Sequence, residues 1–142
     1  MTWATERLQA LVERRAEPPA VVAQLRLGTL DAWGEGWVKK RWEPAADVLG
    51  ADGSLFGGHL AALADQVLTF AAMTCVPEDC VFRTANLQVQ FLKIGTARPV
   101  DIDARVLAHG RRVIAVEAEF RQEGVLIAKA FAQQIVLPGG AG

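Results

Sequence analysis

One apolar stretch of the chain carries the two features best suited to chemistry. It runs from Leu55 to Gln66 as LFGGHLAALADQ and contains the pair Gly57-Gly58. Glycines that open a helix leave backbone N–H groups unpaired at the positive end of the helix dipole. Such groups can hold an oxyanion or polarise a carbonyl. A glycine pair before a helix also serves simply as a tight entry turn, so this signal alone is weak.

Asp65 is the second feature, because it is the only charged residue between His59 and Met73. A carboxylate on an apolar helix is costly unless it has hydrogen-bonding partners or a catalytic task. The surrounding Leu, Ala, Val and Phe residues leave little solvent-facing surface on this helix. Gln66 and Thr69 can still form a narrow polar stripe with Asp65, so a structural role stays open beside a catalytic one.

Distance separates these two features within one chain. Gly57 and Asp65 lie about 12 Å apart along a helix that rises ~1.5 Å per residue. They therefore cannot both reach one carbonyl from the same chain. Two antiparallel copies of the helix would bring Gly57 of one chain near Asp65 of the other, which predicts two shared sites in a homodimer.

The pattern around this segment predicts an α+β domain with one long helix and one antiparallel sheet. Apolar and polar residues alternate from Val100 to Val106, as in a half-buried strand. Short turns join the later strands, so we expect an antiparallel four-strand meander after the long helix. Thr5 is the expected cap of the first helix. The expected elements are helices over 5–16 and 20–25, hairpin strands over 30–33 and 37–42, a long helix from Gly58 to about Cys75, and strands over 82–93, 100–108, 112–122 and 125–137.

Neither a repeat nor a linker divides the chain. We therefore expect a single domain over 1–142, with a helical extension over 1–25 and a flexible tail over 138–142. The long helix is apolar on nearly every side, whereas one sheet face covers only one stripe of a helix. A symmetry mate is the simplest second cover, and this again predicts a homodimer.

Composition excludes a nucleic-acid binder. The 142 residues include 15 Lys and Arg against 16 Asp and Glu, whereas neutralising phosphates requires a basic surplus.

All four Trp fall within the first 42 residues and the chain has no Tyr. The N-terminal part is therefore built from different side chains than the rest.

Cysteine usage and hydropathy bear on the compartment. Cys75 and Cys80 have a poor zinc spacing, so neither a metal nor a cofactor is expected. Two isolated thiols favour a reducing cytoplasm, and the first residues lack the apolar run of a signal peptide. Asp65 and Gln66 sit in the middle of the apolar segment, where a membrane span would make them costly. No membrane partner is expected.

The element order and the stretch Phe56-Gly57-Gly58 … Leu63-Ala64-Asp65 resemble the hotdog-fold acyl-CoA thioesterases of the phenylacetic-acid-degradation (PaaI) type. Their pattern is His-Gly-Gly, followed by Leu-x-Asp/Glu inside the central helix. Thr84, followed by Leu87-Gln88-Val89-Gln90-Phe91, resembles the next strand of the family. The likeness covers roughly residues 27–137 and leaves the N-terminal helix outside it.

The resemblance implies a hotdog fold, a curved antiparallel sheet wrapped around a long central helix. It also implies hydrolysis of an acyl-CoA to the free acid and coenzyme A. Gly57, with Gly58 beside it, would polarise the thioester carbonyl through its backbone N–H. Asp65 of the partner subunit would act as general base or nucleophile, and Thr84 would orient water or the carboxylate. The residues implied to meet the acyl-CoA are Phe56, His59, His109, Arg111 and Arg112.

Other functions stay open beside hydrolysis. Phe56 stands where the family has His and cannot donate a hydrogen bond, which favours a non-catalytic hotdog module that binds acyl-CoA or only assembles. A hotdog hydratase is the third reading, since it pairs a carboxylate with a catalytic His. His59 and Asp65 lie on different faces of the helix, however. For Arg111 and Arg112 an ordinary solvated turn is an equal alternative, and pairing of dimers into tetramers is open.

Overall fold

The structure is a computed structural model that describes residues 1–139 of the chain. A long helix lies across one antiparallel sheet, and two shorter helices precede both. The helices are α1 (Trp3–Val12), α2 (Ala20–Gln24) and α3 (Gly57–Met73), with a single 3-10 turn at Ala46–Val48. The strands are β1 (Ala32–Gly34), β2 (Trp37–Trp42), β3 (Cys80–Phe91), β4 (Val100–His109), β5 (Val113–Gln122) and β6 (Val125–Pro138). This is the expected α+β hotdog arrangement with an added N-terminal helix.

The six strands form one sheet in the order β1-β2-β4-β5-β6-β3, and all neighbours are antiparallel. The expected four-strand meander is wrong in its first strand, because β3 pairs with β6 and not with β4. The physical reason is the connection over 92–99, which exceeds the two to five residues of a usual hairpin loop. It carries the chain from one edge of the sheet to β4, whereas short turns join β4 to β5 and β5 to β6.

The core lies between α3 and the inner face of the sheet. Apolar residues recur along α3 at the spacing of one helical face, and the buried ones are Leu60, Leu63, Ala64, Val67, Leu68, Ala71, Ala72 and Met73. Alternation along the strands supplies the opposing surface. On β6 the inner face is small, with Ala128, Ala130 and Ala132 followed by the fully buried Gln134. That single polar residue marks the part of the sheet nearest the candidate site.

Tryptophan side chains join the first hairpin to the N-terminal extension and to the segment that directly follows it. Trp33 Nε1 donates to Gln9 Oε1 at 2.8 Å. Trp42 Nε1 donates to the Arg26 carbonyl, also at 2.8 Å. Thr2, and not Thr5, is the N-cap of α1, because the Thr2 side chain accepts from the Thr5 N–H while Thr5 bonds back to Thr2.

The extension also corrects one argument from the sequence. Ala4 and Leu8 on α1 are buried within the same core as α3. The extension therefore covers part of the apolar surface of α3 that the sequence predicted a symmetry mate would cover. The surface left uncovered is instead β3, an edge strand in which seven of twelve residues are exposed. A free edge of this kind invites pairing with another strand.

The last strand ends one residue later than predicted. β6 includes Pro138, which pairs with Cys80, and the Gly139 N–H donates to the Asp79 carbonyl at 2.6 Å. The rest of the tail predicted over 138–142 lies outside the described residues. Across residues 1–139, no helix combines the length and apolar character that a membrane span requires.

Candidate active site

The N-terminal end of α3 presents free backbone donors. The first helical hydrogen bonds run from His59 N and Leu60 N to the Phe56 carbonyl, at 3.0 and 3.2 Å. Within residues 1–139, the N–H groups of Gly57 and Gly58 have no hydrogen-bond partner. This end of the helix can therefore donate to a bound carbonyl, as its sequence predicted.

Two exposed phenylalanine rings flank these donors. A methyl group at Gly57 would lie 3.2 Å from the Phe91 ring, and one at Gly58 would lie 3.1 Å from the Phe56 ring. Phe56 is 62% exposed and Phe91 is 55% exposed. The glycines thus let two aromatic rings approach the helix terminus closely and form an apolar rim around its donors.

Asp65 lies two turns further along α3 and is exposed in the single chain. The expectation that an apolar helix would leave it little solvent is therefore wrong for one chain. Its Oδ1 accepts a hydrogen bond from Thr84 Oγ1 at 3.0 Å. Thr84 lies on β3 beside a register shift between Thr84 and Asn86. The structure thus brings Asp65 and Thr84 together at the open edge of the sheet.

Gln134 extends this contact into the core, and sequence reasoning missed it. Its Oε1 lies 3.0 Å from Thr84 Oγ1, while its Nε2 is buried without a partner among the described residues. A hydroxyl has one proton, and the Asp65 carboxylate accepts it. Turning the amide by 180° lets Nε2 donate to Thr84 Oγ1 instead. A relay from Gln134 through Thr84 to Asp65 then satisfies both contacts.

His59 is placed elsewhere, against β2. Its ring stacks on Trp42 with centroids 5.2 Å apart, and its Nε2 is buried without a partner among the described residues. Burial lowers the pKa of His59, although the Asp47 charge opposes this. Because β2 and β3 lie in different halves of the sheet, the chain does not pair His59 with Asp65. His59 is a packing residue in this arrangement.

Arg111 and Arg112 lie on the exposed turn between β4 and β5, and His109 is the last residue of β4. All three line an open depression of about 650 Å³. In the part of the chain described, neither arginine is ion-paired with a carboxylate. The depression borders Cys80, at the opposite end of β3 from Phe91. At ~3.3 Å per strand residue those ends are about 36 Å apart. The cationic turn and the Gly57 donors of one chain are thus well separated.

The comparisons with known proteins identify the family. A family model described as the thioesterase superfamily matches residues 52–128, which span α3, β3, β4, β5 and the first residues of β6. The chain belongs to the thioesterase superfamily. It is therefore a thioester hydrolase, and the resemblance read from the motif around Asp65 is confirmed at the level of the family.

Solved structures share its fold over most of the chain. A phenylacetic acid degradation-related protein from Ralstonia eutropha JMP134 is 27% identical, with a TM-score of 0.80 over 90% of this chain and 98% of that one. A conserved protein from Pseudomonas aeruginosa is 29% identical, with a TM-score of 0.76 over 84% and 95%. A hypothetical thioesterase protein with coenzyme A from Streptococcus pneumoniae TIGR4 is 20% identical, with a TM-score of 0.70 over 78% and 85%. No curated protein sequence matches the chain closely enough to add a relative.

Proposed function

We propose that the protein hydrolyses acyl-CoA thioesters at active sites shared between two antiparallel protomers. The observation that carries the proposal is the hydrogen bond from Thr84 to Asp65 at 3.0 Å, which holds a carboxylate at the free sheet edge. The unpaired N–H groups of Gly57 and Gly58 supply the complementary donors. A protein of the same fold from Streptococcus pneumoniae holds coenzyme A, which supports this class of substrate.

The open edge of β3 supports a homodimer. An edge strand this long and exposed is unusual unless another strand covers it. Antiparallel pairing of two β3 strands about a two-fold axis makes the two α3 helices antiparallel as well. Gly57 of the partner subunit then approaches Asp65 of this chain, which overcomes their separation of about 12 Å within one helix. Further pairing into tetramers remains a prediction.

The proposed reaction begins when the thioester carbonyl accepts a hydrogen bond from Gly57 of the partner subunit. Asp65 removes a proton from a water molecule, and the water oxygen attacks the carbonyl carbon. The C–S bond then breaks, and the proton passes to the departing thiolate. In the alternative course, Asp65 attacks the carbonyl directly and water hydrolyses the resulting anhydride. Thr84 orients the carboxylate in either course.

The phosphates of coenzyme A are assigned to Arg111 and Arg112 on the turn after β4 and to His109 at the end of that strand. Thr84 lies four residues from Cys80 along β3, or about 13 Å at ~3.3 Å per residue. The turn is therefore much nearer to Asp65 than to Gly57 of the same chain. A substrate whose carbonyl is at Asp65 can extend its coenzyme A part toward these exposed cations.

The cytoplasmic location likewise remains a prediction, and both cysteines are free thiols.

The test is release of free thiol from a panel of acyl-CoA esters. Asp65→Asn is expected to lower kcat by about 10²–10⁴, since a positioned general base contributes that much. Asp103→Asn is the matched control, because Asp103 is an exposed carboxylate on β4 paired only with Lys39. Equal rates in wild type and Asp65→Asn would refute the role of Asp65.

The same panel separates the competing functions. Wild-type protein that binds acyl-CoA without releasing thiol would be the non-catalytic module that Phe56 suggests. Hydration of crotonyl-CoA would indicate the hydratase. The location of His59 against Trp42 argues against that outcome.

A further inference from the structure

A cavity of about 320 Å³ lies between the N-terminal extension and α3. On the helix side, residues three and four positions apart form one stripe, which consists of Ala62, Asp65, Gln66, Thr69, Phe70 and Met73. The extension supplies the facing wall with Leu11, Pro18, Pro19, Val21, Val22 and Leu25. The cavity therefore exists only because the extension lies over α3.

The walls are apolar apart from a few placed groups. Among residues 1–139, Asp65 and Arg7 are the only charged residues that line the cavity. The Gln66 side chain is already engaged, because its Oε1 accepts from Lys40 Nζ at 2.8 Å and its Nε2 donates to the Gly28 carbonyl at 2.9 Å. A ligand inside would meet hydrocarbon on most sides, and the Asp65 carboxylate and the Arg7 guanidinium as the charged groups of the wall.

We propose that this cavity receives the acyl group of the thioester, so that the extension sets which acyl groups are hydrolysed. The inference rests on the proposed function, because it takes Asp65 as the residue at the reacting carbonyl. Asp65 contacts Thr84 at the sheet edge and also lines the cavity. A carbonyl held at this carboxylate can therefore direct its acyl side into the cavity while coenzyme A remains outside.

The volume indicates the size of the group. At ~30 Å³ for a water-sized unit of liquid, the cavity accommodates about ten non-hydrogen atoms. This corresponds to an apolar acyl group of about six to ten carbons, straight or aromatic. Acetyl groups would leave most of the cavity unfilled, and long fatty chains would exceed it.

The wall formed by the extension is held in place by hydrogen bonds at its inner end. Lys40 Nζ donates to the Leu27 carbonyl as well as to Gln66. Trp42 Nε1 donates to the Arg26 carbonyl at 2.8 Å. The segment that follows α2 is therefore attached to β2 and α3, and the cavity is preformed before any ligand binds.

The experiment measures kcat/KM for a series of straight-chain acyl-CoA esters from acetyl to palmitoyl. For the wild type we expect kcat/KM to rise up to about fourfold per methylene until the cavity is filled, and then to level off or fall. Val21→Trp narrows the cavity from the extension side. It should lower the ratio of kcat/KM for octanoyl-CoA to kcat/KM for acetyl-CoA by about tenfold or more.

Two further variants make the result specific. Val125→Trp is the matched control, because Val125 is 44% exposed against 54% for Val21 and does not line the cavity. It should keep the wild-type profile. Ala62→Leu fills the same cavity from α3 and should shift the optimum to shorter chains even if Val21→Trp fails to fold. An unchanged chain-length profile in both cavity variants would overturn the inference.

Failure of the inference and failure of the proposed function can be told apart. Hydrolysis that does not depend on acyl length would leave the function intact and overturn the cavity assignment. If the wild type hydrolyses no acyl-CoA, the proposed function fails, and calorimetry with octanoyl-CoA and acetyl-CoA decides the cavity assignment. Tighter binding of octanoyl-CoA that is lost in Val21→Trp or Ala62→Leu would support it. Equal affinities would refute it.

Discussion

Lys40 is expected to make the free energy of unfolding increase as the pH rises above neutral. It occupies an inward position on β2 and is only 4% exposed. Burial lowers its pKa from 10.5 to about 8, with Asp31 raising it and Arg14 lowering it further. The neutral amine keeps two N–H donors, which suffice for the Leu27 and Gln66 oxygens that it contacts.

The magnitude follows from that difference in pKa. Each pKa unit corresponds to about 1.4 kcal/mol. The free energy of unfolding is therefore about 3 kcal/mol lower when Lys40 is protonated in both states than when it is neutral in both. Below pH 8 both native and unfolded chains are protonated, and the full cost is present. Between about pH 8 and 10.5 the unfolded chain still binds the proton whereas the native chain has released it. The free energy of unfolding therefore rises with pH in this window.

Urea unfolding of wild type and Lys40→Met at pH 7.5 and pH 10 measures the effect. The stability of wild type relative to Lys40→Met should increase by about 2 kcal/mol between these pH values. Burial raises the pKa of the Cys75 thiol, which acts in the opposite direction, but it is present in both proteins and cancels. A difference that stays constant with pH would mean that Lys40 is hydrated, and would refute its role in holding the extension.

Three further predictions concern the site and the sheet. Gln134→Met should lower kcat about tenfold with little change in KM, because it removes a contact that supports Thr84. Steady-state kinetics would measure both constants. An unchanged kcat would exclude the relay from Gln134 through Thr84 to Asp65. Glu117→Gln should cost about 2 kcal/mol in urea unfolding at pH 7, since the buried carboxylate loses its charge-assisted hydrogen bonds. The pKa of Glu117 is lowered overall by Lys129 and Arg105 against the effect of burial, so this loss should shrink as the pH falls below 4.5; a loss that persists in acid would contradict it. Replacing Arg111 and Arg112 together by Gln should raise KM for acyl-CoA about tenfold and make KM less dependent on salt, while kcat is retained. Equal KM values in the variant and the wild type would show that these arginines do not bind the coenzyme A phosphates.

The secondary structure could be predicted from periodicity because both periods are clear in this chain. Apolar and polar residues alternate over 100–106 and again over 116–121, and α3 is bounded by glycines and by Pro77. The partner of β3 could not be predicted in this way. Local patterns identify a strand, whereas the neighbour of that strand depends on where the connection over 92–99 carries the chain.

The site could be predicted only in part, for related reasons. Asp65 and Thr84 came from a motif, and the structure joins them by a hydrogen bond. Gln134 was missed, although the alternation through Ala130 and Ala132 placed it on the inner face. A polar residue in an inward register was the available signal. The cavity could not be found, because its two walls come from segments that show no local pattern of contact.

The distribution of tryptophan has a practical consequence for watching this protein at work. All four indoles precede α3, and the chain has no tyrosine. Trp33 donates a hydrogen bond to Gln9 of the N-terminal extension, and Trp42 donates one to the Arg26 carbonyl directly after it. Fluorescence therefore originates from these four indoles. Trp33 and Trp42 contact the segments that form the wall of the cavity, whereas Trp3 Nε1 donates to the Cys80 carbonyl on β3 and Trp37 is exposed on the first hairpin. A ligand that binds beneath the extension should therefore change the emission of Trp33 and Trp42, so its binding can be followed without an added label.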